Sequence, residues 1–485
     1  MLSCKLQYIY TISVTCCRVT IPASITMACN RKILIVAYSG KGHINPAFRF
    51  ASRLLKLGVD VTFCTSLSVV QRIDKETIPT GLTFAPFSDG YDAGKHPNTP
   101  LQQFISDFET NGARAVAEII ISATAAGQPF DCVVYTTVIP WVARVAHAHG
   151  IKPALLWCQS ATILDIYYYY FNSSEYQSLI SSNNDNPTFP INLPGLPPLT
   201  IADLPSFLLA SCPKEHEFLV PVLKDHIDVL KISPTIVVNT VDELEFDSIR
   251  AIENLEFLPI GPLIPSESYD HKDSLKYSLG MDFIEKTVDD QYDHIEWLNT
   301  QEKSSVVYVS FGTIATFQME QLEEMAIGLM AIRRPFLWVI RDDEQAERVR
   351  KIDGLEKQGL IVCWCAQTEV FSHQSVGCVV MHCGWNSTVE VLVAGIPTVA
   401  FAQWSDQETN AKMIEDVWKI GVRVRTRERD GMVEGMEIKR CVDMVMEDQQ
   451  MKINAVKWKE LTREALINGG SATINLQTFL HQVKN

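Results

Sequence analysis

Short apolar runs alternate along the chain with stretches whose apolar positions recur at helical spacing, the pattern of parallel strands buried between layers of helix. Residues 32–37 (Lys-Ile-Leu-Ile-Val-Ala) read as such a strand, and 38–44 as a loop. Asn45 is placed to cap a helix with Pro46 at its first position, both favoured there. Phe48, Phe50, Ala51, Leu54 and Leu55 continue at helical spacing, and Gly58 closes the helix before a strand at 59–63. This is one βαβ unit, with His43 at its strand-to-helix turn, where open α/β sheets bind ligands. Further strands are expected at 130–137 and 153–157, with helices at about 140–149 and 163–171, and the stretches 235–240 and 258–262 end this first series. Pro187, Pro190, Pro194, Pro197, Pro198 and Pro205 mark 182–205 as a long surface excursion.

A second α/β series starts at 305–313 and continues through a helix at 318–332 and strands at 335–340 and 359–363. Its centre is 364–407. There the apolar run 376–381 enters His382-Cys383-Gly384-Trp385-Asn386-Ser387-Thr388, and a helical stretch, 389–394, is stopped by Gly395 and Pro397. A strand at 398–401, a helix at 409–419 and a strand at 421–424 follow. The Gly-containing turn at 382–388 offers backbone N–H groups at a helix start, where the helix dipole favours an anion.

A chain of 485 residues exceeds what one core supports, since cores stop growing at roughly 250–300 residues. The expected division is an upstream extension at 1–26, a first α/β domain at 27–262 and a polar linker at 263–290. A second α/β domain at 291–460 follows, then a helical tail at 461–485 that packs back on the first domain. The net charge of −15 gives no electrostatic footprint for nucleic acid or an anionic membrane. No run reaches the roughly 18 apolar residues of a membrane span. The 13 cysteines show no zinc spacing and sit mostly in apolar runs, as buried thiols of a reducing compartment do. Asn386 forms a glycosylation sequon inside the anion turn, where a glycan would block the site, which also favours the cytoplasm. Residues 1–26 carry no Asp or Glu and end before Met27. They read either as an upstream start, with Met27 the first residue, or as an organelle transit peptide.

Within 364–407, Trp364, Gln367, the run from His382 to Ser387, Glu390, Gly395, Pro397, Asp406 and Gln407 keep the spacing of a known signature. With Gly42-His43-Ile44-Asn45-Pro46-Ala47, the run 304–313 and Gly469-Gly470-Ser471, the chain resembles the plant family 1 UDP-glycosyltransferases from Arg31 onward. The stretch 131–171 is most similar to the group of anthocyanin 5-O-glucosyltransferases, crocetin glucosyltransferases and indole-acetate glucosyltransferases. The resemblance implies an α/β GT-B fold, two Rossmann-like domains facing across a cleft. It implies a UDP-sugar and a small-molecule acceptor as partners, no cofactor or metal, and a monomer. Trp364 would stack the uracil, Ala366 would read the base edge through its backbone, and Gln367 and Glu390 would bind the ribose hydroxyls. Thr313, His382, Gly384, Asn386 and Ser387 would hold the diphosphate. Asp406 and Gln407 would take the sugar hydroxyls, bordered by Trp385, and Gln407 leans the donor toward UDP-glucose.

His43 aligns with the family's general base in an inverting transfer. Many members orient that His with an Asp whose position here holds Thr136. Asp131 lies five residues earlier, so strand alternation puts it on the opposite face. A carboxylic acid acceptor, with a pKa of about 4, is ionised at neutral pH and needs no base, and an acidic phenol needs only modest help. A glucose ester or an acidic phenol glucoside is therefore the expected product. The alternatives are a transferase using another UDP-sugar and a UDP-sugar-binding protein with little turnover.

Overall fold

The computed structural model describes residues 31–73, 78–96, 98–264, 294–313, 315–427 and 429–483. The extension at 1–26 and nearly all of the linker expected at 263–290 lie outside these residues. The first sheet contains β1 (Lys32–Val36), β2 (Asp60–Cys64), β3 (Thr83–Phe84), β4 (Cys132–Thr136) and β5 (Lys152–Trp157). A small antiparallel pair, β6 (Pro190–Ile191) and β7 (Leu199–Thr200), interrupts the series before β8 (Thr235–Val238) and β9 (Glu256–Pro259) return to that sheet. Its strand order is β3-β2-β1-β4-β5-β8-β9, all parallel. The second sheet holds β10 (Val306–Ser310), β11 (Phe336–Val339), β12 (Gly359–Val362), β13 (Val376–Met381), β14 (Thr398–Ala400) and β15 (Gly421–Arg423). Its order is β12-β11-β10-β13-β14-β15, again all parallel.

The strands are apolar on both faces because helices cover both faces. On β1, Ile33 and Ile35 pack with the helix Lys41–Lys56, while Leu34 and Val36 join the opposite core with Tyr135 and Trp141. On β10, Val307 and Val309 face one core, and Val306 and Tyr308 the other. The strand order reverses between β1 and β4 in one sheet and between β10 and β13 in the other. Each reversal opens a crevice beyond the carboxyl ends of those strands. One crevice is edged by the helix start carrying His43 and the loop carrying Thr137, the other by the loops carrying Thr313 and His382.

Three sequence expectations are corrected. The helix after β1 begins at Lys41, with Gly40 as its N-cap, so Asn45 does not cap it and Pro46 lies inside it. Pro46 has no N–H to give the carbonyl of Gly42 one turn back. That carbonyl instead accepts from Asn386 Nδ2 of the second domain at 3.1 Å, which makes the interruption tolerable. The proline-rich stretch is also more than a surface excursion. It carries the β6–β7 pair, and Ile191, Leu193, Leu199, Ile201 and Leu204 are buried in the first core.

The third correction concerns the boundary at residue 460, which falls inside the helix Gln449–Leu466. The crossing back to the first domain comes at Ile467–Gly470, where Gly469 takes a positive φ of 88°. The helix Ser471–Val483 then lies on the first domain. Leu476, Phe479 and Leu480 enter its core, the rings of Phe50 and Phe479 sit 5.9 Å apart, and Asn475 donates to the carbonyl of Pro259 at 2.9 Å. The nine described cysteines are thiols outside any disulfide, eight of them buried. No helix among the described residues is long and apolar enough to cross a membrane.

Candidate active site

The two crevices open on one cavity of about 400 Å³. His43 and Thr137 line it from the first domain. Thr313, Trp364, Ala366, Gln367, His382, Gly384, Trp385, Asn386, Ser387, Glu390, Asp406 and Gln407 line it from the second. Residues more than three hundred positions apart in sequence thus meet on one surface. Of the residues singled out from the sequence, Thr136 alone is absent from the lining; its neighbours Thr137 and Val138 are there in its place.

The turn after β13 is built for a close approach. Cys383 is left-handed, with φ 63°, and Gly384 is the N-cap of the helix Trp385–Ala394. A Cβ on Gly384 would lie 2.5 Å from His382 Nε2, and one on Gly312 2.7 Å from the same ring. Glycine is therefore required on both sides of the imidazole. The first N–H groups of that helix have no partner within it, which supplies the anion-binding end. Burial lowers the pKa of His382 to about 4, so the ring is neutral at pH 7. His382 can donate a hydrogen bond to a phosphate oxygen but brings no positive charge.

At one end of this turn Gln367 Nε2 donates to Glu390 Oε2 at 2.7 Å and to Ser387 Oγ at 3.2 Å, and Tyr308 Oη donates to Gln367 Oε1 at 3.2 Å. The Gln367–Glu390 pair is held in place, and Glu390 retains lone pairs for a diol. At the other end, Asp406 accepts from Asn410 Nδ2 at 2.7 Å, and its pKa is raised by burial. Gln407 Oε1 accepts the backbone N–H groups of Gln403 (2.8 Å) and Trp404 (3.2 Å), so what it can offer a ligand is its NH₂. Trp385 borders the cavity, but its indole N–H is spent on the carbonyl of Asn239 at 2.7 Å. It anchors one domain to the other.

His43 sits in the first turn of its helix with Nδ1 enclosed and without a hydrogen-bond partner. Nε2 is therefore the nitrogen available to the cavity. Burial lowers the His43 pKa to about 4. Thr136 does not bond to it. The Thr136 hydroxyl accepts from the backbone N–H of Tyr38 at 3.0 Å, and the Tyr38 ring meets the imidazole edge-on at 5.3 Å. Thr136 thus acts on His43 only through Tyr38. Asp131 lies at the far end of β4, accepting from Lys32 N at 2.7 Å.

Sequence reasoning missed His226. Fully buried, it accepts at Nε2 from the backbone N–H of Val138 at 2.9 Å and stacks 6.0 Å from Tyr135. It holds Val138, a β-branched residue at φ 79°, at the cavity edge. A lone histidine in an apolar helix carries no sequence signal for that role.

Two parallel α/β domains with a helix-terminus anion site and a facing histidine define a nucleotide-binding transferase architecture. Residues 280–468 match the family model described as UDP-glucoronosyl and UDP-glucosyl transferase. The chain is 48% identical over 466 residues to UDP-glycosyltransferase 75C1 of Solanum lycopersicum, covering 93% of this chain and 98% of that protein. It is 45% identical to the chloroplastic crocetin glucosyltransferase of Gardenia jasminoides, covering 94% and 98%. Among solved structures it superposes on Os79 from O. sativa in complex with UDP with a TM-score of 0.81 at 30% identity, covering 93% of this chain and 100% of that one. The chain belongs to the plant family 1 UDP-glycosyltransferases and has their GT-B fold.

Proposed function

We propose that this transferase moves glucose from UDP-glucose to an acidic acceptor oxygen, a carboxylate or an acidic phenol such as a flavonoid hydroxyl. The observation that carries the acceptor class is His43, enclosed at Nδ1 without a carboxylate partner and with its pKa lowered to about 4. Such a base is neutral and ready at pH 7 but too weak to help an alcohol. It can take the proton of an acidic phenol, and a carboxylate asks nothing of it. The acceptor oxygen bonds to the anomeric carbon as the bond from that carbon to the UDP oxygen breaks, with inversion. Any acceptor proton goes to His43 Nε2.

The donor reading rests on the site's own chemistry. Trp364 offers an aromatic face for uracil, Glu390 and Gln367 a diol-binding pair, and the helix start at Gly384 a diphosphate seat. These residues need no metal to hold UDP. Glucose is favoured by Gln407 and by the Gardenia relative, named as a glucosyltransferase. The roles of Thr313, Ala366, His382, Asn386, Ser387, Trp385 and Asp406 are part of the same proposal.

The test is a panel of carboxylic acids, phenols and aliphatic alcohols with UDP-glucose, run on the wild type and on Thr136→Asp. The wild type should glucosylate acids and phenols and leave alcohols, with kcat/KM for a phenol flat from about pH 5.5 to 8. A carboxylate at position 136 should raise the His43 pKa and bring alcohol transfer up about tenfold or more. Equal rates on alcohols and acids in the wild type, unchanged by Thr136→Asp, would refute the acceptor class. UDP binding without transfer to any acceptor would leave a binding protein.

A further inference from the structure

The proline-rich stretch of the first domain crosses the cleft and docks on the turn that carries Asp406 and Gln407. Ser405, just before that pair, is left-handed, with φ 65°, a conformation side chains other than glycine seldom adopt. Both of its backbone polar groups are held by one residue of the other domain. Ser206 N donates to Ser405 O at 2.9 Å, and Ser405 N donates to Ser206 Oγ at 2.7 Å. The flanking contacts fix the same join. Trp404 takes the edge of Phe207 at 5.8 Å and stacks on His216 at 4.9 Å. Asp203, buried, ion-pairs with Arg423 at 2.6 Å and accepts Thr409 Oγ1 at its carbonyl at 2.6 Å.

The direction in which Asp406 and Gln407 point is set by the backbone at Ser405. Gln407 is bonded back to the N–H groups of Gln403 and Trp404, so the turn moves as a unit. We infer that Ser206 is a positioning residue for sugar recognition: by clamping Ser405 from the acceptor domain it aims the Asp406–Gln407 pair at the donor sugar. This rests on the reading of that pair as the sugar-binding residues. The far end of the donor site, at Trp364 and Glu390, should not register the change. A mere interface contact would weaken the whole cleft; a positioning role should separate sugar recognition from UDP recognition.

The experiment measures three quantities on Ser206→Ala, Ser206→Thr and Gln407→Ala: affinity for UDP, KM for UDP-glucose, and the rate ratio of UDP-glucose to UDP-galactose. Ser206→Ala should keep UDP affinity within about twofold while raising KM for UDP-glucose about five- to tenfold, the effect of one lost partly buried hydrogen bond. Its glucose-to-galactose ratio should fall, and Ser206→Thr, which keeps the hydroxyl, should restore it. Gln407→Ala should lower the same ratio. Unchanged KM and ratio in Ser206→Ala, with both altered in Gln407→Ala, would overturn the inference alone. Gln407→Ala with unchanged ratio would remove the sugar reading and the inference with it. A fall in UDP affinity in parallel with the rise in KM in Ser206→Ala would mark general damage to the cleft and also overturn it. If Ser206→Ala does not fold, Ser206→Cys, a poorer acceptor of similar size, is judged by the same outcomes.

Discussion

A histidine buried neutral is a different reagent from one in water, and three of them lie near this cleft. His43 and His382 are lowered to about 4 and His226 to about 3, each by burial first. A lowered folded pKa means that the unfolded chain binds the extra proton between about pH 6.5 and the folded value. Stability is therefore complete above about 6.5 and is lost as pH falls below it. His226→Gln keeps an acceptor for the Val138 N–H but does not titrate. Denaturant midpoints from pH 7 to 4 should show the wild type losing about 3 kcal/mol more than this variant. Equal losses would contradict the account of His226. At this scale the sequence was legible where residues sit in a fixed-spacing box. The lining residues from Trp364 to Gln407 could be named because one local strand–turn–helix unit brings most of them together. Thr136 was not legible in the same way. Its substitution for Asp was visible, but its bond to Tyr38 N depends on β1 and β4 pairing in register.

Among elements, the parallel strands were plain because burial on both faces leaves an unbroken apolar run. The 25-residue helix Leu101–Ala125 escaped notice: its buried stripe, Phe104, Phe108, Gly112, Val116 and Ile120, is broken by a glycine, and exposed apolar residues such as Ile121 blur the helical spacing. The helix starting at Lys41 was misplaced because Asn45-Pro46 is a sound local start signal. The Gly42 carbonyl that overrides it finds its partner, Asn386, 344 residues away. The C-terminal helix Ser471–Val483 shows how an element's weight can lie wholly in a distant contact. Phe479, 1% exposed, is its central anchor in the first domain's core. Phe479→Ala should cost about 3–5 kcal/mol in chemical denaturation. A loss under about 1 kcal/mol would mean the helix is not part of that core.

For the whole molecule, the cleft is a joint product of two sheets whose strand orders reverse at facing positions. Among the contacts that tie the domains across it are Asn386 to Gly42, Trp385 to Asn239, and Ser206 to Ser405. None could be read from sequence, because each joins residues at least 146 positions apart and neither partner is of a type that announces it. The donor half of the cleft carries the family's signature residues, and opposite it stands His43, the proposed base, with no hydrogen-bond partner at Nδ1. The most direct measurement is therefore the effect of His43→Ala on two acceptors with UDP-glucose, alongside UDP affinity. The account predicts unchanged UDP affinity, a loss of about a hundredfold or more on a phenol, and a loss under about tenfold on a carboxylic acid. Equal losses on both acceptors, or none on the phenol, would contradict it.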